Sequence, residues 1–139
     1  MWIFAIRTGR IFHNDALIGR GYSGADDDNV DDPDDSKNNP DRVREKNVGA
    51  IPPGNYIIGE LFDHPTKGRD CMRLTPDEDN EMFGRDGFMI HGDSIAHPGT
   101  SSQGCIILNR PTRQFIGNST DKQLFVVADE AKVTITVDA

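Results

Sequence analysis

Cysteine is scarce in this chain: two in 139 residues, Cys71 and Cys105. That excludes a scaffold stapled by disulfides. A single Cys71–Cys105 bridge is chemically possible, but it would disable the nucleophile argued for below, so both thiols are expected to be free. Long apolar runs are missing as well. No stretch approaches the roughly 20 residues of a membrane-spanning helix, and mean hydropathy is −0.57. Positive charge is short: 15 Lys and Arg against 23 Asp and Glu leave a net charge of −8. Such a chain repels phosphate, which argues against nucleic acid and anionic membrane surfaces as partners. The first residues, MWIFAIRTGR, lack the extended apolar core and small-residue cleavage site of a signal peptide. The expectation is a protein made in the cytoplasm that needs an exporter other than the general route to reach any substrate outside.

What is present suits one domain over residues 1–139 with a real core. Short β-rich runs dominate. Trp2–Ile6 and Ile11–His13 flank a Gly turn and predict a hairpin, and Ala16–Ser23 predicts a third strand. Residues 25–41 break the pattern: ADDDNVDDPDDSKNNPD has almost no apolar residue and two prolines, which reads as a solvated acidic loop. It fails as a calcium hand, because the sixth position from Asp26 is Asp31 and the twelfth is Lys37, not Gly and Glu. Arg42–Asn47 reads as a short helical turn or a loop. Asn55–Phe62 predicts a strand covered on both faces, Arg69–Leu74 another, and Thr75–Asp86 an acidic loop at a cleft edge. Asn109–Ser119 predicts one short helix with Pro111 in its first turn and Phe115 and Ile116 turned inward. Leu124–Ala128 and Val133–Val137 close the chain as two strands around a turn at residues 129–132. The fold expected is mainly β, a sandwich or barrel with one short helix after the Cys105 strand.

The informative stretch is Phe88–Leu108. Two apolar runs, Phe88–Ile90 and Ile106–Leu108, bracket a polar, Gly-rich loop. His91 stands where the first run ends, and Cys105 where the second begins. Rigid strands holding the reacting groups with a loop shaping the cleft is how a Cys–His nucleophilic pair is built. The thiolate attacks, and the imidazole takes its proton and later protonates the leaving amine. Gly104 lets the chain turn sharply and a substrate carbonyl come close. Backbone N–H groups around Gln103–Cys105 would form an oxyanion hole. Ser102 would donate a hydrogen bond in the cleft, and Asp93 or the Gly92 carbonyl would orient His91. Zinc on His91, Asp93, His97 and Cys105 is the weaker alternative, since no CxxC or HxxxH pair anchors it. Taken singly, a Cys leading an apolar run is most often a packing residue; the joint pattern carries the argument.

His91-Gly92 followed by Ser102-Gln103-Gly104-Cys105-Ile106 resembles the signature of the L,D-transpeptidase catalytic domain. It is most similar to a small branch of type VI secretion effectors that act on peptidoglycan. Ile51-Pro52-Pro53-Gly54-Asn55-Tyr56, Ile90-His91-Gly92-Asp93 and Gly104-Cys105-Ile106-Ile107-Leu108 with Arg113 behind extend the likeness over most of the chain outside the acidic loop. The main family has His where Gln103 stands and Arg where Ile107 stands, so Arg110 or Arg113 would have to supply the substrate-binding cation.

The resemblance implies a cysteine acyl-transfer enzyme. Cys105 is its nucleophile and His91 its base, supported by Gly92 and Asp93, with Ser102, Gln103, Gly104 and Arg113 toward substrate. It implies loss or exchange of the terminal D-Ala of peptidoglycan tetrapeptide stems without metal or cofactor. It also implies action in the periplasm of target bacteria, with secretion machinery and an immunity protein as partners. The competing reading is a non-catalytic acidic β-sandwich that binds a protein or wall polymer.

Overall fold

The computed structural model of the chain describes residues 1–25 and 36–130. The core of the acidic loop, the Val133–Val137 strand and part of the turn before it lie outside those residues.

Strands β1 (Trp2–Ala5) and β2 (Arg10–His13) form the expected antiparallel hairpin, with Ala5 opposite Arg10. Gly9 turns the chain at φ +74°, a region that favours glycine. Strand β3 (Ala16–Arg20) folds back on β2. The single strand expected over Ala16–Ser23 is in fact two. It breaks at Gly21, and β4 (Tyr22–Ser23) pairs antiparallel with β9 (Ile106–Ile107) instead. The physical reason is crowding. Gly21 N–H donates to the Gly9 carbonyl at 2.7 Å, and a Cβ on Gly21 would run into the Ile107 carbonyl. Only glycine lets the chain pass between these two strands.

Strand β5 (Gly54–Ile58) is shorter than the expected Asn55–Phe62. Gly59 donates sideways to the Arg73 carbonyl at 2.8 Å, and β6 (Phe62–His64) then pairs separately with β7 (Gly68–Pro76). Cover on both faces of β5 is also corrected: Tyr56 and Ile58 are buried, while Ile57 is 55% exposed. After β7 come β8 (Met89–His91), β9, helix α1 (Arg110–Gly117) and β10 (Gln123–Val127). Asn109 caps the helix by accepting from Thr112 N–H at 3.0 Å, and Pro111 sits in its first turn. Ile116 is buried as expected; Phe115 is not, and stands 55% exposed.

The sheet order is β3-β2-β1-β10-β5-β7-β8-β9-β4, with β6 attached to β7. Strands β3 and β4 are consecutive in the chain yet stand at the two ends of that order, so the sheet curls into a mainly β, nearly closed barrel or sandwich. Two neighbouring pairs are parallel, β1–β10 and β8–β9. The interior is filled by Trp2, Phe4, Ile11, Tyr56, Met72, Ile90, Ile106, Ile116 and Val126, among others. Each large apolar side chain so buried contributes about 1.5–3 kcal/mol. Trp2 belongs to this core: its ring stacks on His13 at 4.0 Å and its indole N–H reaches the Asp121 carbonyl at 2.9 Å.

Candidate active site

The parallel pair β8–β9 positions the chemistry. Ile90 is opposite Ile106 and His91 opposite Ile107. Side chains alternate along a strand, so Cys105, just ahead of β9, faces the same side as His91, one diagonal step away. Both line a cleft of about 190 Å³, walled by Phe88, Met89, Ser101 and Gln103, with Lys46, Lys67 and Arg85 as its cations. A second cleft of about 310 Å³ adjoins it, lined by Thr66, Gly92, Asp93, Ser94 and Thr100. The two share Lys67, His91, Ser101 and Gln103. A groove of about 250 Å³ around Met1, Tyr56 and Ile57 includes neither Cys105 nor His91.

His91 is 1% exposed. Its Nδ1 lies 2.9 Å from the Gly92 carbonyl, which can only accept, so Nδ1 carries the proton. In the neutral ring the lone pair is then on Nε2. That atom is buried and has no hydrogen-bond partner. Burial holds the imidazole below its ordinary pKa; the Gly92 bond opposes this, and Lys67 and Arg113 reinforce it. The ring is therefore neutral near pH 7, with its basic nitrogen unengaged.

Cys105 and Cys71 are both free thiols. Burial pushes the Cys105 thiol up, against the opposing pull of the Met89 N–H, Lys67 and Arg85. Its Sγ also makes a long contact, 3.9 Å, to the Gly87 carbonyl. Cys71 is fully buried and donates to the Gly68 carbonyl at 3.3 Å, as befits a packing residue.

The Asp93 carboxylate is engaged by groups other than His91. It accepts from Tyr22 Oη at 2.7 Å and from the N–H groups of Ser94 and Gly99, both at 2.9 Å. Burial opposes its ionisation, but these donors outweigh that and hold it below the usual carboxylate range. Tyr22 Oη in turn accepts from Ser101 N–H at 3.0 Å. Asp93 thus steadies the 93–101 loop, and the Gly92 carbonyl orients the imidazole.

Ser102 is also turned inward. Its Oγ donates to the Cys105 carbonyl at 2.6 Å and accepts from Gly24 N–H at 2.9 Å and Gly104 N–H at 3.0 Å. It ties the 102–105 loop together instead of offering a donor to the cleft. Gln103 does line the cleft. Gly104 is at φ +136°, and a Cβ there would come within 2.6 Å of Arg85 Nη2 and 2.8 Å of the Phe88 ring. Arg113 is 7% exposed and donates to the carbonyls of Arg69 at 2.7 Å and Asp70 at 3.2 Å. It lines a groove with Arg20, Tyr22 and Arg110, not the Cys105 cleft. Arg110 pairs with Asp70 at 2.8 Å. Neither arginine lines the Cys105 cleft. Among the described residues no three His, Cys, Asp or Glu side chains gather as metal ligands, so the zinc grouping is not assembled.

Three residues escaped the sequence reading. Ser23 is fully buried, donates to the Gly104 carbonyl at 2.8 Å and accepts from Ile51 N–H at 2.9 Å. Arg85 is buried beneath the same loop. Lys67 stands at the junction of the two clefts, on a turn in which His64 Nδ1 accepts from Thr66 N–H and Lys67 N–H, each at 3.1 Å. No motif marks these positions; a lone Arg in an acidic loop and a Lys in a turn read as surface charge.

Residues 19–129 match the family model described as the Tlde1 domain. That is most of the chain, which belongs to the Tlde1 domain family, a family of type VI secretion effectors. No curated protein matches it.

Proposed function

We propose that this member of the Tlde1 domain family is an antibacterial cysteine acyl-transfer enzyme. It removes the terminal D-Ala from peptidoglycan tetrapeptide stems, by hydrolysis or by exchange for another D-amino acid. One observation carries the reading: His91 lines the same cleft as Cys105 and is held by the Gly92 carbonyl so that its Nε2 is left buried and without a hydrogen-bond partner. An imidazole in that tautomer is a general base waiting for a proton.

The Cys105 thiol gives its proton to His91 Nε2. The sulfur attacks the carbonyl carbon at the L-centre of the diaminopimelate residue, and the carbonyl π electrons move to oxygen. Gly104 N–H is already taken by Ser102, so the N–H groups of Gln103 and Cys105 are the loop's candidates to receive that oxyanion. Collapse restores the carbonyl and breaks the C–N bond, and His91 returns its proton to the departing amine of D-Ala. The thioester then meets water or the amine of a D-amino acid, which His91 deprotonates, and the thiol is released. Lys46 and Lys67 suit the carboxylates of a stem peptide, the task the family assigns to an Arg where this chain has Ile107. Every step runs on this chain's own residues.

As an effector, the protein would be carried by secretion machinery into a target cell, act in its periplasm, and be neutralised in the producer by an immunity protein. The test is mass spectrometry of tetrapeptide muropeptides incubated with wild type and Cys105→Ala, with and without a free D-amino acid. Loss or replacement of D-Ala by wild type alone is expected. Unchanged muropeptides with both proteins would refute the activity and favour a binding role toward a protein or wall polymer.

A further inference from the structure

Arg85 is 6% exposed, and its guanidinium meets only neutral oxygens. Nη1 donates to the carbonyls of Val43 and, at 2.9 Å, Ala50; Nη2 donates to those of Gly49 at 2.7 Å and Gln103 at 3.2 Å. Its face lies over the Phe88 ring at 5.1 Å. Among the described residues no carboxylate pairs with it. A buried charge is ordinarily neutralised by a partner of opposite sign, because four carbonyl dipoles solvate a cation without cancelling it. Here the cation sits beneath Gly104, with only glycine's missing Cβ making room for it, and it lines the cleft beside Cys105.

We propose that Arg85 is a positioning residue for Cys105: one guanidinium fixes the 103–105 loop and supplies the missing counter-charge for the anion that forms there. The first task is done by its bonds. It ties the 43–50 segment and Gln103 to one rigid planar fork, which holds the turn that aims the thiol. The second follows from the unpaired charge. When Cys105 loses its proton, and again when the tetrahedral oxyanion forms, a negative charge develops near a cation already in place. At rest the site holds an uncompensated positive charge; during reaction it becomes a pair. This supplies by another route the cation absent at Ile107. The inference rests on Cys105 being the nucleophile, but not on the identity of the substrate.

The experiment is the pH profile of Cys105 alkylation by iodoacetamide in the full chain carrying Cys71→Ser, with thermal unfolding recorded in parallel. The other charged or titratable groups facing Cys105 are His91, Lys67, Lys46 and Asp86, and they are left in place. Arg85→Gln keeps polar contact with the carbonyls and removes the charge. Its midpoint is expected about one pH unit above wild type, about tenfold less thiolate at neutral pH. Arg85→Lys keeps the charge and loses the fork. It is expected to keep the midpoint within a few tenths of a unit while melting earlier. A folded Arg85→Gln with the wild-type midpoint would overturn the proposal, as would Arg85→Lys shifting as far as Arg85→Gln. A measurement on the unmutated arginine guards against misfolding. The Arg85 Nε resonance of ¹⁵N-labelled protein should titrate with the Cys105 midpoint and lose that step in Cys105→Ala. A flat resonance overturns the electrostatic coupling. Muropeptide turnover is scored separately, so failure of the stem-peptide reading and failure of this one give different results.

Discussion

Ser23→Ala is the sharpest structural test of how the loop that carries Cys105 is held. The hydroxyl is fully buried and stands between two backbone groups that have no other partner among the described residues: it donates to the Gly104 carbonyl at 2.8 Å and accepts from Ile51 N–H at 2.9 Å. Removing it orphans a buried C=O and a buried N–H, each costing about 1–3 kcal/mol. The side chain is small and leaves little cavity, so the packing loss is minor. The expected loss is about 3 kcal/mol, read as a lower urea midpoint at unchanged m-value. For a chain of this length that corresponds to roughly 10 °C in Tm. Ser102→Ala adds a second handle, because Ser102 Oγ accepts from the N–H of the same Gly104. The two serines grip the two peptide units that meet at the Gly104 Cα, so the double variant should lose less than the sum of the singles by about 1 kcal/mol. A Ser23→Ala protein within about 0.5 kcal/mol of wild type would refute the argument. So would strict additivity with Ser102→Ala.

Stability should also report on His91. Burial lowers its folded pKa below 6.5, so as pH falls through 6.5 the unfolded chain binds a proton that the folded chain refuses. Its contribution is present above 6.5 and lost on the way down to the folded value; the urea midpoint of wild type should fall across that window, and His91→Gln should flatten the slope. Gly104→Ala places a side chain at φ +136° against Arg85 and Phe88. It should cost about 2 kcal/mol or more and slow Cys105 alkylation sharply; a stable variant with wild-type thiol reactivity would contradict the role given to that turn. Lys67→Met should raise KM for tetrapeptide stems about threefold to tenfold with little change in kcat, a modest effect because the side chain is exposed. An unchanged KM removes Lys67 from the substrate contacts.

Much of the frame was legible because it rests on local signals. The Gly9 turn between two β-rich runs produced the hairpin, and Asn109 with Pro111 produced the helix start. That His91 and Cys105 would line one cleft was legible because they stand at facing ends of two apolar runs, which become the neighbouring strands β8 and β9. What escaped was long-range. Gly21 inside Ala16–Ser23 looks like any strand glycine until the Ile107 carbonyl from the far end of the sheet arrives against it. The role expected of Ser102 toward substrate failed because a hydroxyl beside a nucleophile can face either way. Here Gly24, Gly104 and Cys105 supply three backbone partners on the inner side. Arg113 was carried to the cleft by the resemblance, as a replacement for the Arg absent at Ile107, but the helix turns it toward the β7 carbonyls. Arg85 was lost among the acidic residues of its own loop, because the carbonyls that hold it come from the 43–50 segment and Gln103.

The resting state of the pair has a consequence for where such a protein could work. The sequence reading favoured an imidazole that holds a thiolate as an ion pair. Burial pushes the Cys105 thiol up and the His91 imidazole down, and both shifts oppose that ion pair. Lys67 cannot rescue it, since a cation there favours the thiolate but disfavours the imidazolium. The two groups therefore rest neutral, with the thiol protonated and Nε2 bare, and under the proposed mechanism proton transfer would accompany attack. A protonated thiol reacts slowly with disulfides and peroxides, whose partner is the thiolate. Under the proposed delivery the protein works in an oxidising compartment, where a standing thiolate would be capped before it met a stem peptide. Under the proposed function, keeping Cys105 neutral until a carbonyl occupies the cleft would protect the nucleophile, at the cost of a slower first step. The corresponding measurement is oxidised-glutathione modification of Cys105 at neutral pH. It should be no faster than for an ordinary free cysteine, while turnover on stems still depends on His91. Rapid modification in the absence of substrate would mean that the ion pair exists at rest and that the burial argument is wrong.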